Sequence, residues 1–273
     1  MRVAFIGAGS MASAIAKGAH AADASGWDFV FASASGKTAE TLAHQVEGQA
    51  LPLGSQTLKD AIANADLVVL AVKPQVQAEV LEDLPATDAA LVSIAAGRTL
   101  ERIEADLEGT SNANAAVIRV MPNVNASVGQ SASAICANEN ANSDQVDAAE
   151  RLFASVGTVV ELPETLFPVF TAMAGSSPAW FFVIADHLAD GGVKHGLTRD
   201  HAIRAVAQSM AGSASLLIDA LDRGENAAAL TASVCSPGGT TIAGLLAAEE
   251  AGLGPSLIAA VDATVRRDSE LGQ

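Results

Sequence analysis

A chain of 273 residues with 50% hydrophobic content is long enough for two domains and too apolar for general disorder. Its formal net charge of −16, with 15 Lys and Arg against 31 Asp and Glu and no basic run, argues against a nucleic-acid binder, because phosphates reward clustered cations. Two cysteines, Cys136 and Cys235, make neither a disulfide framework nor a metal site by their spacing, and the absence of tyrosine excludes chemistry that depends on a Tyr general acid.

The opening MRVAFIGAG reads as a buried strand from residue 2, which leaves no room for the n-region and h-region of a signal peptide and points to the cytoplasm. Apolar runs such as Leu67–Val72 fall well short of the roughly 18 residues of a membrane span, so a soluble chain without membrane association is expected.

Up to Glu161, short β-rich runs alternate with helical ones. Strands are predicted at Val3–Ile6, Phe29–Ala32, Leu67–Val72, Leu91–Ile94, Val117–Val120, Ala132–Cys136 and Thr158–Glu161. Helices are predicted at Met11–Ala22, Lys37–Val46, Leu58–Asn64, Val76–Leu81, Leu100–Leu107 and Asp144–Ser155. The alternation and the continuous apolar strands predict an α/β fold, a doubly wound parallel sheet covered on both faces.

From Pro163 strand signals end, and helical spacing runs through Pro178–Lys194, Arg199–Leu221, Ala227–Val234, Gly239–Ala251 and Leu257–Leu271. The expected division is a dinucleotide-binding domain at 1–162 and an all-helical domain at 163–273.

Between the first strand and the first helix, Gly7-Ala8-Gly9-Ser10-Met11-Ala12 is a GxGxxA turn. Gly7 permits the tight turn, Gly9 lets the backbone approach a pyrophosphate, and Ala12 allows close helix packing; Ser10 and Met11 open the helix whose N-terminus would face the phosphates. After the second strand, where NAD binders place a carboxylate, FASASGKTAE offers Ser33, Ser35 and Lys37 and no acid before Glu40. Hydroxyls and a lysine suit a 2′-phosphate, which favours NADPH over NADH; the alternative is that Ser35-Gly36-Lys37 merely begins a helix. Three further strand ends, Val72-Lys73-Pro74, Ala95-Ala96-Gly97 and the segment Met121-Pro122-Asn123, should face the cofactor, because ligands bind outside the carboxyl ends of such strands.

Near the C-terminus, Ser236-Pro237-Gly238-Gly239-Thr240-Thr241 interrupts an alanine-rich helical pattern. It reads as a helix start with exposed N–H groups that attract an anion, or as a structural cap with Ser236 at N-cap and Pro237 at N1.

GAGSMA, AVKPQ, RVMPNV, TAMAGSSPAWFFVIADHLADGGVKHGL and, most specifically, SVCSPGGTTIAGL follow one another in this order. On these motifs the chain resembles the pyrroline-5-carboxylate reductases over nearly its whole length. The resemblance implies reduction of 1-pyrroline-5-carboxylate to L-proline by NAD(P)H, the last step of proline biosynthesis. It implies a Rossmann domain followed by a helical domain that interlocks with a partner's as a homodimer, with higher oligomers such as a decamer.

It further implies that Ser236, Gly238, Gly239, Thr240 and Thr241 bind the substrate, with the Ser236 hydroxyl and the N–H groups of Gly239 and Thr240 on its carboxylate. The catalytic assignment is Thr241, whose hydroxyl would lie near the ring nitrogen. Four positions depart from the family pattern: Val124-Asn125 after MPN, Leu58 where an Asn often stands, Asn226-Ala227 ahead of SPGG, and Ser177 within Gly175-Ser176-Ser177-Pro178.

The rivals are another NADP-dependent imine reductase or a β-hydroxyacid dehydrogenase of the same plan. The latter needs a helix lysine, and Lys194, the one lysine of the helical half, reads as a helix end beside Gly196. Two other readings make Cys235 a nucleophile at a helix N-terminus, for which no partner His is identifiable, or make the chain a cofactor-binding sensor without turnover.

Overall fold

The computed structural model describes residues 1–271. They fall into two compact units, residues 1–176 with the stretch from Ala263, and residues 177–262.

The first unit is built on one eight-stranded sheet: β1 (Arg2–Ile6), β2 (Asp28–Ala32), β3 (Gln49–Ala50), β4 (Leu67–Leu70), β5 (Ala90–Ser93), β6 (Val117–Met121), β7 (Ser131–Ala137) and β8 (Gly157–Glu161). The spatial order β3-β2-β1-β4-β5-β6 is that of a doubly wound dinucleotide fold, extended by β7 and β8. All pairings are parallel except β6 with β7, which is antiparallel with Val120 opposite Ile135. The purely parallel sheet expected from the pattern is corrected there: the connection after β6 holds only a short 3₁₀ turn, Val124–Val128, and a parallel crossover needs a dozen residues or more.

The strands alternate between two cores as the period of two requires. Val3, Phe5, Leu67, Val69 and Val92 pack with α1 (Ser10–Ala22), α2 (Lys37–Gln45) and α6 (Ser143–Ala154). Ala4, Ile6, Val68, Leu70 and Leu91 pack with α3 (Gln56–Ala63), α4 (Gln77–Glu82) and α5 (Leu100–Leu107). Leu58, at the position where the family often has Asn, is one of those core residues, with 4% exposure.

The structure divides at Ser176/Ser177, later than the expected 162/163. Phe167, in α7 (Phe167–Phe170), is fully buried against Ala134 and Cys136 of β7, so this segment packs as part of the sheet unit. Helical structure then runs without a break from Glu164 to Lys194 through a π segment, Thr171–Ser176, into α8 (Ser177–Lys194). That continuous helix is long and apolar enough to cross a membrane by length and composition, which the shorter runs weighed in the sequence did not suggest.

The second unit contains α8, α9 (Arg199–Asp222), α10 (Ala227–Val234), α11 (Thr240–Glu250) and the beginning of α12 (Leu253–Leu271). Small residues let α8 and α9 approach, and a Cβ on Gly192 would lie 3.0 Å from that of Ala202. Arg199 ties the pair by ion pairs to Asp190 at 2.6 Å and to Asp186. Lys194 is the last residue of α8.

Candidate active site

At the carboxyl ends of β1, β2 and β4 lies a cleft of about 450 Å³, at the point where the strand order reverses. Gly7, Ala32, Ser33, Ala34 and Val72 line it. Gly7 closes the turn by donating its N–H to the Ala32 carbonyl at 2.8 Å. Its φ is +103°, and a Cβ there would meet the Ala71 carbonyl carbon at 2.6 Å, so the position admits only glycine. Gly9 is the N-cap of α1, with φ −82°, no side-chain cap, and open space within 4 Å of where a Cβ would stand. Ser10 is exposed at the first position of the helix and Met11 half-buried beside it. Uncapped N–H groups, a bare backbone and a cleft beside them fit the diphosphate of a dinucleotide.

The second strand end is organised by Ser33. Its hydroxyl accepts from the Thr38 hydroxyl at 2.8 Å and from the Ala39 N–H at 3.3 Å, which leaves its own O–H free to donate. Ser35 and Lys37 are exposed, in the turn that Gly36 closes at φ +68° and on the first residue of α2; neither lines the cleft. The sequence reading missed Lys59, which does.

Strand β4 ends at Leu70, two residues before its expected end, so that Val72 is released to the cleft wall. Lys73 is exposed and precedes the 3₁₀ turn that Pro74 opens. Ala95 is buried, Ala96 exposed, and Gly97 turns at φ +72° with its Cα face 3.0 Å, measured to a built Cβ, from the Leu271 side chain. A buried bridge that no motif announced links two of these strand ends: Gln77 Nε2 donates to Ser93 Oγ at 2.7 Å, and that oxygen also accepts from the Ala95 N–H at 3.4 Å.

Asn123, expected at the cofactor, is 5% exposed and engaged on every side. Pro178 has no N–H to offer the Ala174 carbonyl a helical turn earlier, and Asn123 Nδ2 donates to that carbonyl at 3.0 Å; its Oδ1 accepts from the Asn125 N–H at 3.1 Å. The side chain therefore braces the π segment with one of its two amide hydrogens.

Beside this region a second cavity of about 300 Å³ is lined by Gly97, Thr99, Arg119, Glu164 and Asp268. Arg119 is buried, pairs with Glu164 at 2.8 Å and lies 4.6 Å over the Phe167 ring; Glu164 also accepts from the Leu100 N–H at 2.7 Å. Burial raises the Asp268 carboxyl above its ordinary value, opposed by the Arg119 charge. Burial, then the Glu164 charge, pushes the Cys136 thiol up to about 12, which leaves it un-ionised and inert.

In the helical unit, Ser236-Pro237-Gly238-Gly239 forms a turn of the type II pattern, with Pro237 second, Gly238 third at φ +66°, and the Gly239 N–H donating to the Ser236 carbonyl at 3.0 Å. The N-cap of α11 is Gly239, without a side-chain cap, so the reading of Ser236 as N-cap with Pro237 at N1 is overturned. The Gly239 N–H, expected to face a ligand, is spent on the turn. The uncapped donors include those of Thr240 and Thr241, whose side chains are exposed, as is Ser236. A Cβ on Gly239 would collide with the Ser236 hydroxyl, which explains the second glycine.

Residues 164–271 match a family model described as pyrroline-5-carboxylate reductase dimerisation, and residues 2–97 one described as NADP oxidoreductase, coenzyme F420-dependent. The pyrroline-5-carboxylate reductase of Methanosarcina acetivorans is 36% identical over 100% of this chain and 98% of its own. Among solved structures, that of the Coxiella burnetii pyrroline-5-carboxylate reductase superposes with a TM-score of 0.86 at 31% identity, over 99% of this chain and 98% of its own. The Plasmodium falciparum pyrroline carboxylate reductase with NADP bound gives 0.83 at 26%, over 100% and 98%. With a Rossmann-type sheet unit, the SPGGTT turn at an uncapped helix and relatives similar from end to end, the chain belongs to the pyrroline-5-carboxylate reductase family.

Proposed function

We propose that this chain reduces 1-pyrroline-5-carboxylate to L-proline, the last step of proline biosynthesis, with NADPH preferred over NADH. The observation that carries the proposal is the Ser236–Gly239 turn, which delivers a hydroxyl and two unpaired helix N–H groups at one exposed helix start. The Ser236 hydroxyl and the Thr240 and Thr241 N–H groups hold the substrate carboxylate, which the positive end of α11 favours. Gly238 and Gly239 act through their backbone, by forming the turn. The Thr241 hydroxyl hydrogen-bonds at the ring nitrogen and orients the imine.

Gly7, Gly9, Ser10 and Met11 present the start of α1 to the diphosphate, and the loops at Val72-Lys73-Pro74 and Ala95-Ala96-Gly97 confine the nicotinamide end. When bound, the cofactor supplies a hydride. A ring nitrogen that enters protonated makes its carbon an acceptor without further acid, so anchoring and orientation by the residues above provide the catalysis. No lysine is needed as acid or base, in keeping with Lys194 at the end of α8.

The apolar helices fit a homodimer built through the helical domain, and assembly into a higher oligomer such as a decamer is part of the same reading, as are a cytoplasmic location and the absence of membrane or nucleic-acid partners. The test is oxidation of NADPH followed by absorbance on adding pyrroline-5-carboxylate, with NADH and a 2-oxo acid in parallel. NADPH-preferring turnover to proline is expected; turnover of the 2-oxo acid alone would transfer the chain to the hydroxyacid chemistry.

A further inference from the structure

We propose that Lys59 supplies the positive charge for the 2′-phosphate of the cofactor, the role the sequence suggests for Lys37. The inference rests on the NADPH reading above and assigns a discriminating residue to it.

Lys59 lies on α3, and its neighbours in the helix fix where it points. Leu58 and Ile62 are buried at 4% and 2% exposure against the sheet, which leaves the adjacent position at the rim of the 450 Å³ cleft. Ser55 caps this helix by accepting the Leu58 N–H at 3.2 Å, so the start of α3 is held in register. Among the described residues Lys59 is the one cation that lines the cleft, and no ion pair to it is formed. Lys37, by contrast, is outside the lining, on the first turn of α2.

The other charged residues of the cleft are Glu79, on α4, and Asp83, its C-cap. Without Lys59 the charged residues of the lining are all carboxylates, which repel a phosphate dianion; with it, a lysine lines the same cleft as Ser33, whose O–H is free to donate. An ammonium and a hydroxyl donor together suit a phosphate group, while the 2′-hydroxyl that replaces it in NADH needs no cation.

The test is equilibrium titration of the full chain with 2′,5′-ADP and with 5′-AMP, which differ only in the phosphate in question, for wild type, Lys59→Ala, Lys59→Arg and Lys37→Ala. Lys59→Ala is expected to weaken 2′,5′-ADP by about tenfold or more, as loss of a charged hydrogen-bond partner does, with 5′-AMP nearly unchanged. Lys59→Arg restores the preference, and Lys37→Ala leaves it intact. Unchanged 2′,5′-ADP binding in Lys59→Ala, or a selective loss in Lys37→Ala, overturns the assignment to Lys59. A wild-type chain that binds both ligands equally overturns the NADPH reading itself, and does so before any variant is measured. Because Lys59 is exposed, melting temperatures of the variants should match wild type, and Lys59→Gln serves as a second neutral replacement.

Discussion

Alanine at Gly9 should separate cofactor binding from folding. A Cβ built at Gly9 meets nothing within 4 Å, and the φ of −82° is open to any residue. The substitution therefore leaves the fold intact and changes stability little, because the gain of about 0.4–1 kcal/mol from a restricted unfolded chain is offset by alanine being a poorer N-cap than glycine. With a diphosphate against this backbone, however, the methyl stands between the phosphate oxygens and the N–H groups of α1. Losing two charge-assisted hydrogen bonds at about 1.5 kcal/mol each weakens binding by roughly a hundredfold.

Gly7 predicts the opposite pattern. Its φ of +103° costs an alanine about 1–3 kcal/mol, and the Ala71 carbonyl carbon at 2.6 Å forces the turn away from the end of β4. At about 2–4 °C per kcal/mol, Gly7→Ala should melt some 5–10 °C lower. Thermal melts paired with NADPH titration decide both. A Gly9→Ala chain that binds NADPH as wild type does refutes the placement of the diphosphate, and a Gly7→Ala chain with the wild-type melting temperature refutes the close approach of β1 and β4.

Glu164→Ala leaves the buried Arg119 without its partner and should destabilise by about 3 kcal/mol; adding Arg119→Met should recover part of that in urea melts, and a further full-sized loss would argue against the pairing. Asp268, raised by burial, binds its proton more tightly in the folded chain than in the unfolded one, so its contribution is present below the ordinary carboxylate value and lost as pH rises through the raised one. Asp268→Asn should therefore gain stability relative to wild type as pH rises above the ordinary carboxylate value of about 4; a constant gap would mean that the carboxyl is not raised. Thr241→Ala should slow turnover about tenfold, the effect of roughly 1.4 kcal/mol, with NADPH affinity unchanged; an equal loss of affinity would remove Thr241 from its place at the ring nitrogen.

The strands were legible because a strand buried on both faces is a continuous apolar run, as in Leu67–Leu70, where all four residues are buried. Gln49–Ala50 was not, since two residues without an apolar pattern are a strand only through their pairing with Val30 and Phe31. Local pattern carries no strand direction, so the reversal at β7 was invisible. The helix expected from Leu257 starts at Leu253, and its Pro255 is tolerated because a proline in the first turn forfeits only an N–H that has no helical partner.

The turns at Gly7 and Gly238 could be placed from the residues because each takes a positive φ that glycine alone adopts without strain. Lys59, the Gln77–Ser93 bridge and the brace formed by Asn123 could not, because each depends on which distant backbone arrives beside it.

The helical unit presents a different problem from the sheet. Apart from Ser177 and Pro178 at the start of α8, the residues it buries in α8 and α9 are alanines, Ala185, Ala189, Ala202 and Ala220. Alanines permit close helix approach but remove little apolar area from water, so this unit as a single copy has almost no core. Meanwhile Phe181, Phe182 and Val183, consecutive on α8, are 50%, 64% and 55% exposed, and Leu216, Ile218, Val234 and Leu246 are exposed on the other helices. Consecutive apolar positions point in different directions around a helix, so α8 is apolar on faces that its own chain does not cover, the condition of a helix that belongs inside something larger. The match of residues 164–271 to a dimerisation model supports oligomer formation, and a second copy is the covering proposed above. The sheet unit carries two cores of its own and does not need the partner to fold. The turn at Ser236–Gly239 sits in the helical unit, so if it anchors the substrate carboxylate as proposed, a dilute monomer should lose substrate binding before it loses the cofactor.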